Sequence, residues 1–347
     1  MQALVLAGGE GTRLRPLTLS VPKPVMPLAG RPFLTFMLDW LGRHGVSEAI
    51  LSCGFLSDAV EEVLGREYEG IALRYVVEEE PLGTAGPVRL AAELGHVGGR
   101  LLVLNGDALT DLDLTAEVGW HERTGAAATL ALVPVGDTSG YGAVPTAADG
   151  QVEAFLEKMD NPPTNRINAG AYVLEREVID RIPPGRSMFE TDVFPQMVGH
   201  GLYGFDAEGA YWIDIGTPER YLEATYDLLA DRLESSLPPR DETGSLVGDG
   251  SITAGARIGP MSVLGRHCVV GVGAVVERSV LHDDVRVGEG ATVTGAVLAG
   301  GVHVGDGAQV EEGAVLGADA RVAAGARVAR DARIDRGQAV GEPIGAQ

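Results

Sequence analysis

The chain has 347 residues, 45% of them hydrophobic and 22% charged, which predicts a folded protein of about two domains with a sizeable core in at least one. A formal net charge of −22 argues against nucleic acid as a partner, because a phosphate backbone would be repelled over most of the surface. Two cysteines, Cys53 and Cys268, give no disulfide framework, no signal peptide is read before the first strand, and no apolar run reaches the roughly 20 residues of a membrane helix. A soluble cytoplasmic protein without a membrane partner is expected.

Leu4, Val5 and Leu6 form a short apolar run that stops at Gly8, Gly9 and Gly11, the pattern of a buried strand opening into a glycine-rich loop. Such a loop brings successive backbone N–H groups close to an anion. Arg13 and Lys23 add full positive charge beside it. The mononucleotide P-loop is excluded, since Gly11 is followed by Thr12 and Arg13 rather than by Lys and Ser or Thr. The dinucleotide fingerprint fails as well, because Leu14 stands where its third glycine belongs. Pro22 and Pro24 flank Lys23 and predict an extended segment for it.

From residue 33 onward helical and strand-like patterns alternate. Helices are predicted over 33–43, 57–66 and 85–94, and strands over 49–52, 71–77 and 101–104. This alternation predicts a mostly parallel sheet with helices on both faces, whose ligands sit beyond the carboxyl ends of the strands. Asp107, after Asn105-Gly106, falls on that edge together with the glycine loop. Further strands are predicted over 128–133, 151–157, 168–174 and 211–215, the last carrying Asp214, and a helix over 218–233 opens with Pro218. Residues 236–250, with Pro238 and Pro239, read as a linker.

Beyond the linker an aliphatic residue recurs every six positions. It stands at Ile252, Ile258, Leu264, Val270 and Val276, then after a one-residue slip at Leu281, Val287 and Val293, and after another at Leu298, Val304, Val310, Leu316, Val322, Val328 and Ile334. Small residues such as Cys268, Ala274, Ala308 and Ala314 follow four places later. One large and one small inward residue per six would fill the narrow prism of a parallel β-helix, with glycines at its corners.

The stretch Gly8-Gly9-x-Gly11-Thr12-Arg13-Leu14-x-Pro16-Leu17-Thr18 with Pro22-Lys23-Pro24 resembles the signature of the sugar-nucleotide pyrophosphorylases, nucleotidyltransferases that act on sugar 1-phosphates. Glu80-Pro81-Leu82-Gly83-Thr84-Ala85-Gly86-Pro87, Arg166-Ile167-Asn168-Ala169-Gly170, Phe189-Glu190-Thr191-Asp192-Val193-Phe194-Pro195 and Trp212-Ile213-Asp214-Ile215-Gly216-Thr217-Pro218 are similar to the mannose-1-phosphate guanylyltransferases of that family. The implied fold is α/β, a Rossmann-like nucleotidyltransferase domain over 1–235 followed, after the linker, by a left-handed β-helix of hexapeptide repeats over 251–339 and a tail over 340–347.

The implied reaction makes GDP-mannose and pyrophosphate from GTP and mannose 1-phosphate, with Mg²⁺ as cofactor. By resemblance Leu6, Ala7, Gly8, Gly9, Gly11, Thr12, Arg13, Lys23, Gly83, Thr84 and Asp107 bind the nucleotide, and Gly142, Glu157, Lys158 and Asn168 the sugar phosphate. Asp107 and Asp214 would hold the metal, and Arg13, Lys23, Asp107 and Lys158 would carry the catalytic charge. Taken alone, an Asp at a strand end is more often a turn or helix-cap residue, and Thr84 serves equally well as a cap. Met159 departs from the family pattern, which has proline there, with Pro162 and Pro163 following later.

Three alternatives stay open on the sequence: the same chemistry with dTTP or UTP and glucose 1-phosphate, a regulatory paralogue that binds without turnover, and an acyl-transferring β-helix using a histidine such as His267, His282 or His303. Self-association with the β-helix contributing is also expected.

Overall fold

The computed structural model describes residues 1–54, 57–157, 159, 161–253 and 255–341. The chain divides into two compact units, Met1–Gly9 with Leu34–Ile213, and Glu10–Phe33 with Asp214–Gln347. The excursion over 10–33 and everything from Asp214 onward group with the C-terminal repeats.

The first unit is built on a ten-stranded sheet. Its centre is four parallel strands in the order Leu101–Asn105, Gln2–Leu6, Glu48–Cys53 and Ile71–Val77. Leu4, Val5, Leu102 and Val103 are almost wholly buried, which is why these strands read as unbroken apolar runs. Arg166–Leu174 then pairs antiparallel with Leu101–Asn105 and with Ala128–Pro134, and a register shift between Asn168 and Tyr172 marks a bulge. Leu202–Asp206 completes this side, parallel to Ala128–Pro134. The helices Phe33–Arg43, Ser57–Leu64, Gly86–Glu93, Leu114–Thr124 and Arg176–Arg181 connect these strands.

Where a strand is expected over 151–157, only single bridges at Gln151 and Val152 and the two-residue strand Leu156–Glu157 form. The helix expected over 218–233 is shorter, Pro218–Leu229, and Thr217 caps it by accepting from the Arg220 amide.

In the second unit the repeats form a parallel β-helix of three sheets. Most of the predicted inward residues are buried: Leu264, Val270, Val276, Leu281, Val287 and Val293 are at most 2% exposed, and Cys268, Ala274, Ala308 and Ala314 are fully buried between them, whereas Ile252, expected to start the ladder, is 59% exposed. Leu246–Val247 already pairs with Val263–Leu264, so the linker expected over 236–250 ends before Leu246. Each one-residue slip falls at a corner. Val276 stacks on Val293 and Leu281 on Leu298, with the turn between neighbouring strands cut to Arg278-Ser279 and Gly295-Ala296. Arg278 and Gly295 take the left-handed backbone, φ +49 and +57, that so tight a corner requires.

On one of the three faces the outward residues are also apolar. Val263, Val280, Val297 and Val315 are at most 2% exposed. Within the same unit the helix Pro218–Leu229 lies along this face. Glu219 pairs with Arg333 at 2.5 Å, the Tyr226 hydroxyl donates to the Arg278 carbonyl, and the Arg278 guanidinium sits 5.3 Å from the Tyr226 ring centre.

Candidate active site

The residues expected to form the site fall in both units. In the first, Gln2–Leu6 ends at Ala7, whose amide donates to Ser52 O at 2.8 Å. The backbone then passes so close to Gly54 and Glu78 that a Cβ on Gly8 would meet Glu78 Oε1 at 2.7 Å. Glu78 is buried and accepts from the Ser52 hydroxyl at 2.8 Å and from the Leu82 amide at 2.9 Å. This carboxylate ties the start of the glycine loop to the turn before Gly83. It escapes a sequence reading because it stands first in Glu78-Glu79-Glu80, which looks like a solvated acidic run. Its place directly after the strand Ile71–Val77 was the available signal.

Asp107 comes off the carboxyl end of Leu101–Asn105. The Gly106 amide donates to Leu6 O at 2.9 Å, and a Cβ on Gly106 would stand 2.6 Å from that oxygen, so only glycine lets the turn lie against Leu6. Asp107 is thereby held beside the mouth of the glycine loop and is half-buried.

Gly83 and Thr84 pack on the segment 185–190. Ser187 O accepts from the Ala85 and Gly86 amides, and a Cβ on Gly83 (φ +82) would lie 2.5 Å from that oxygen. Thr84 does not cap the helix Gly86–Glu93, whose N-cap position is Ala85. Its hydroxyl donates instead to Glu190 Oε2 at 2.7 Å and accepts from the Phe189 amide at 2.8 Å. Glu190, from the resembling stretch 189–195, is thus the carboxylate partner of Thr84.

On the expected sugar side, Gly142 is the register partner of Glu157, and Ala143 that of Ile167, so Gly142, Glu157 and Asn168 come to one edge of the sheet. Lys158 lies outside the described residues. The Asn168 side chain holds the bulge: its Nδ2 donates to the Tyr172 hydroxyl at 2.9 Å and its Oδ1 accepts from the Gly170 amide at 3.0 Å. Trp212 Nε1 donates to Ala169 O at 2.9 Å, and the Tyr141 ring meets Trp212 edge-on at 5.4 Å. Trp212, the first residue of its resembling stretch, thus fixes the same strand, and Tyr141 packs against it.

In the second unit Gly11 (φ +60) opens the 3₁₀ turn Thr12–Leu14, and Thr18 closes it by donating to Gly11 O at 2.8 Å. A Cβ on Gly11 would lie 2.9 Å from Thr18 Cγ2 and 3.5 Å from Lys23 Cβ, so Gly11, Thr18 and Lys23 are packed as one turn. Lys23 is not extended as its flanking prolines predict. It begins the 3₁₀ turn Lys23–Val25, with Val25 N bonded to Pro22 O at 3.0 Å and Met26 N to Lys23 O at 3.2 Å. Asp214 ends the strand Trp212–Asp214. A Cβ on Gly216 would meet Arg13 Nη2 at 2.8 Å and Asp214 Oδ2 at 3.0 Å, so guanidinium and carboxylate converge at this glycine.

Among the described residues no three His, Cys, Asp or Glu side chains gather into a metal cage. Magnesium does not need one, since it is commonly held by one or two carboxylates, with water and substrate phosphates completing its shell. The carboxylates of Asp107, in the first unit, and of Asp214, in the second, are each hard oxygen donors of the kind magnesium takes. Among the described residues no helix is long and apolar enough to cross a membrane.

The nucleotidyl transferase family model matches residues 2–231, and the GMPPB C-terminal domain model matches 246–336. A mannose-1-phosphate guanylyltransferase of Mycobacterium tuberculosis is 40% identical over 82% of this chain and 80% of its own. A mannose-1-phosphate guanyltransferase of Schizosaccharomyces pombe is 35% identical over 77% and 74%, respectively. Among solved structures, HddC from Yersinia pseudotuberculosis superposes with a TM-score of 0.57 at 31% identity, covering 64% of this chain and 97% of its own. A second structure of HddC, complexed with GMP-PN, gives 0.56 at 30% over the same shares.

Proposed function

Because the chain belongs to the nucleotidyl transferase family, we propose that it is a mannose-1-phosphate guanylyltransferase, converting GTP and mannose 1-phosphate into GDP-mannose and pyrophosphate. One observation carries the choice of substrates. The match to the mycobacterial guanylyltransferase runs over 296 residues, more than the nucleotidyl transferase segment 2–231 can hold, so the likeness extends into the β-helix.

In the proposed reaction a phosphate oxygen of the sugar attacks the α-phosphorus in line, and the bond from that phosphorus to the pyrophosphate oxygen breaks. The nucleophile is anionic at neutral pH and needs no general base, so the protein's work is positioning and charge neutralisation. Bound Mg²⁺, with Asp107 and Asp214 as its protein ligands, would neutralise phosphate charge. Lys23 neutralises the nucleotide phosphates, and Lys158 the sugar phosphate. Arg13 and the amides from Gly8 to Gly11 receive the departing pyrophosphate, in charge-assisted contacts of about 1.5–3 kcal/mol each. Gly83 and Thr84 border the guanine, while Gly142, Glu157 and Asn168 face the sugar. The enzyme acts in the cytoplasm, as a homo-oligomer to which the β-helix contributes.

The test is pyrophosphate release with Mg²⁺, crossing GTP, dTTP, UTP, ATP and CTP against mannose 1-phosphate and glucose 1-phosphate. Fast release with GTP and mannose 1-phosphate alone is expected. Preference for dTTP or UTP with glucose 1-phosphate would overturn the specificity and keep the chemistry, and silence with every pair would overturn the enzyme.

A further inference from the structure

Residues 10–33 carry Arg13 and Lys23, yet they group with the last helix and the β-helix in one compact unit. Two anchors hold them there. The first is at Pro16, whose Cβ lies 3.0 Å from where a Cβ on Gly317 of the β-helix would stand. The second is at Pro27. Tyr221, in the last helix and wholly buried, donates its hydroxyl proton to the Pro27 carbonyl. A phenol has only one proton to give. Its oxygen must therefore accept from His282 Nε2, 3.2 Å away, which puts the imidazole proton on Nε2.

His282 stands on the β-helix, 6% exposed, with its own amide bonded to Leu298 O at 2.8 Å in the next coil. Burial pushes its pKa down to about 4, so the ring is a neutral donor in the working range of an enzyme. A buried imidazole costs stability unless it is hydrogen-bonded, and a leucine would fill the same kind of space without that demand. What the histidine adds is direction, through the chain His282 Nε2–H to Tyr221 Oη–H to Pro27 O. Lys23 lies between the two anchors, four residues before Pro27. The intervening stretch is stiffened by Pro24 and by the Lys23–Val25 turn, and Arg31 pins the far side by donating to Ser236 O at 2.7 Å.

We propose that Tyr221 and His282 are positioning residues for Lys23, so that the β-helix sets the geometry of the nucleotide-phosphate turn. This rests on the reading of Lys23 as a ligand of the nucleotide phosphates. The test compares full-length His282→Leu, His282→Gln and Tyr221→Phe with the wild type. Each is assayed by pyrophosphate release with GTP and mannose 1-phosphate varied separately, and by amide hydrogen exchange over residues 22–28.

His282→Leu and Tyr221→Phe are expected to raise KM for GTP about tenfold while KM for mannose 1-phosphate stays within about twofold, with faster exchange over 22–28. His282→Gln, which keeps a side-chain N–H donor, is expected to restore both. Unchanged exchange in the Leu and Phe variants would overturn the anchoring. A parallel rise of both KM values would overturn the positioning role, since a general loosening of the fold does that. A wild type that releases no pyrophosphate would overturn the enzymatic reading instead, and the exchange measurement would still decide the anchoring.

Discussion

Glu117 lies in the helix Leu114–Thr124, is fully buried, and among the described residues neither of its carboxylate oxygens has a hydrogen-bond partner. Desolvation raises its pKa well above the ordinary carboxylate range. Below that ordinary range the carboxyl is protonated in both folded and unfolded chains, and the folded state keeps its full stability. As pH rises the unfolded chain releases the proton first, so stability falls until the folded carboxyl also ionises. Between the two pKa values the loss is about 1.4 kcal/mol per pH unit. For a unit of this size that is about 3–6 °C in Tm per pH unit. Glu117→Met removes the proton and keeps the volume. Thermal unfolding of wild type and variant from pH 5 to pH 8 should show a variant that is more stable at pH 8, with an advantage that shrinks toward pH 5. A difference constant across the series would refute the reasoning, because it would mean that Glu117 titrates alike in both states.

The other predictions concern the site. Asp107→Asn should lower kcat by about 10²-fold at saturating Mg²⁺, as for the loss of one preorganised charge-stabilising group; turnover near wild type would remove Asp107 from the site. Gly216→Ala should displace Arg13 and Asp214, whose polar ends lie 2.8 and 3.0 Å from the new methyl group. Both are ends of flexible side chains, so kcat should fall about tenfold with little change in Tm, and the opposite pattern would count against the convergence at Gly216. Gly170→Ala meets Asn105 Nδ2 at 2.4 Å and Asn105 Cβ at 2.8 Å, at a φ of +74. The left-handed backbone alone costs about 1–2 kcal/mol, so Tm should drop and KM for the sugar phosphate should rise; an unaltered KM would separate the bulge from sugar binding.

Where local pattern and burial coincide, the sequence was a good guide. The boundaries of Phe33–Arg43 and Ile71–Val77 follow from periodicity, and the inward aliphatic ladder of the β-helix follows from its spacing of six. The helix Leu114–Thr124 escaped because two of its buried positions are Glu117 and His121, which break the apolar stripe. At Lys23 the flanking prolines argue for an extended chain, whereas packing of Gly11 and Thr18 around it favours a turn. Glu78 was hidden by its acidic neighbours. The grouping of residues 10–33 with the β-helix depends on contacts such as Tyr221 to Pro27, separated by 194 positions, which no window of local sequence registers.

The two short corners at Arg278 and Gly295 bear on how such a protein can change length. Stacked repeats ordinarily gain or lose whole units, since each touches only its neighbours. Here the ladder is gripped at Arg278, His282, Gly317 and Arg333 by Tyr226, Tyr221, Pro16 and Glu219. A coil inserted between these rungs would shift every later one by about 4.8 Å and pull it off its partner. Growth or loss of coils is therefore compatible with this arrangement only outside the gripped stretch from Arg278 to Arg333.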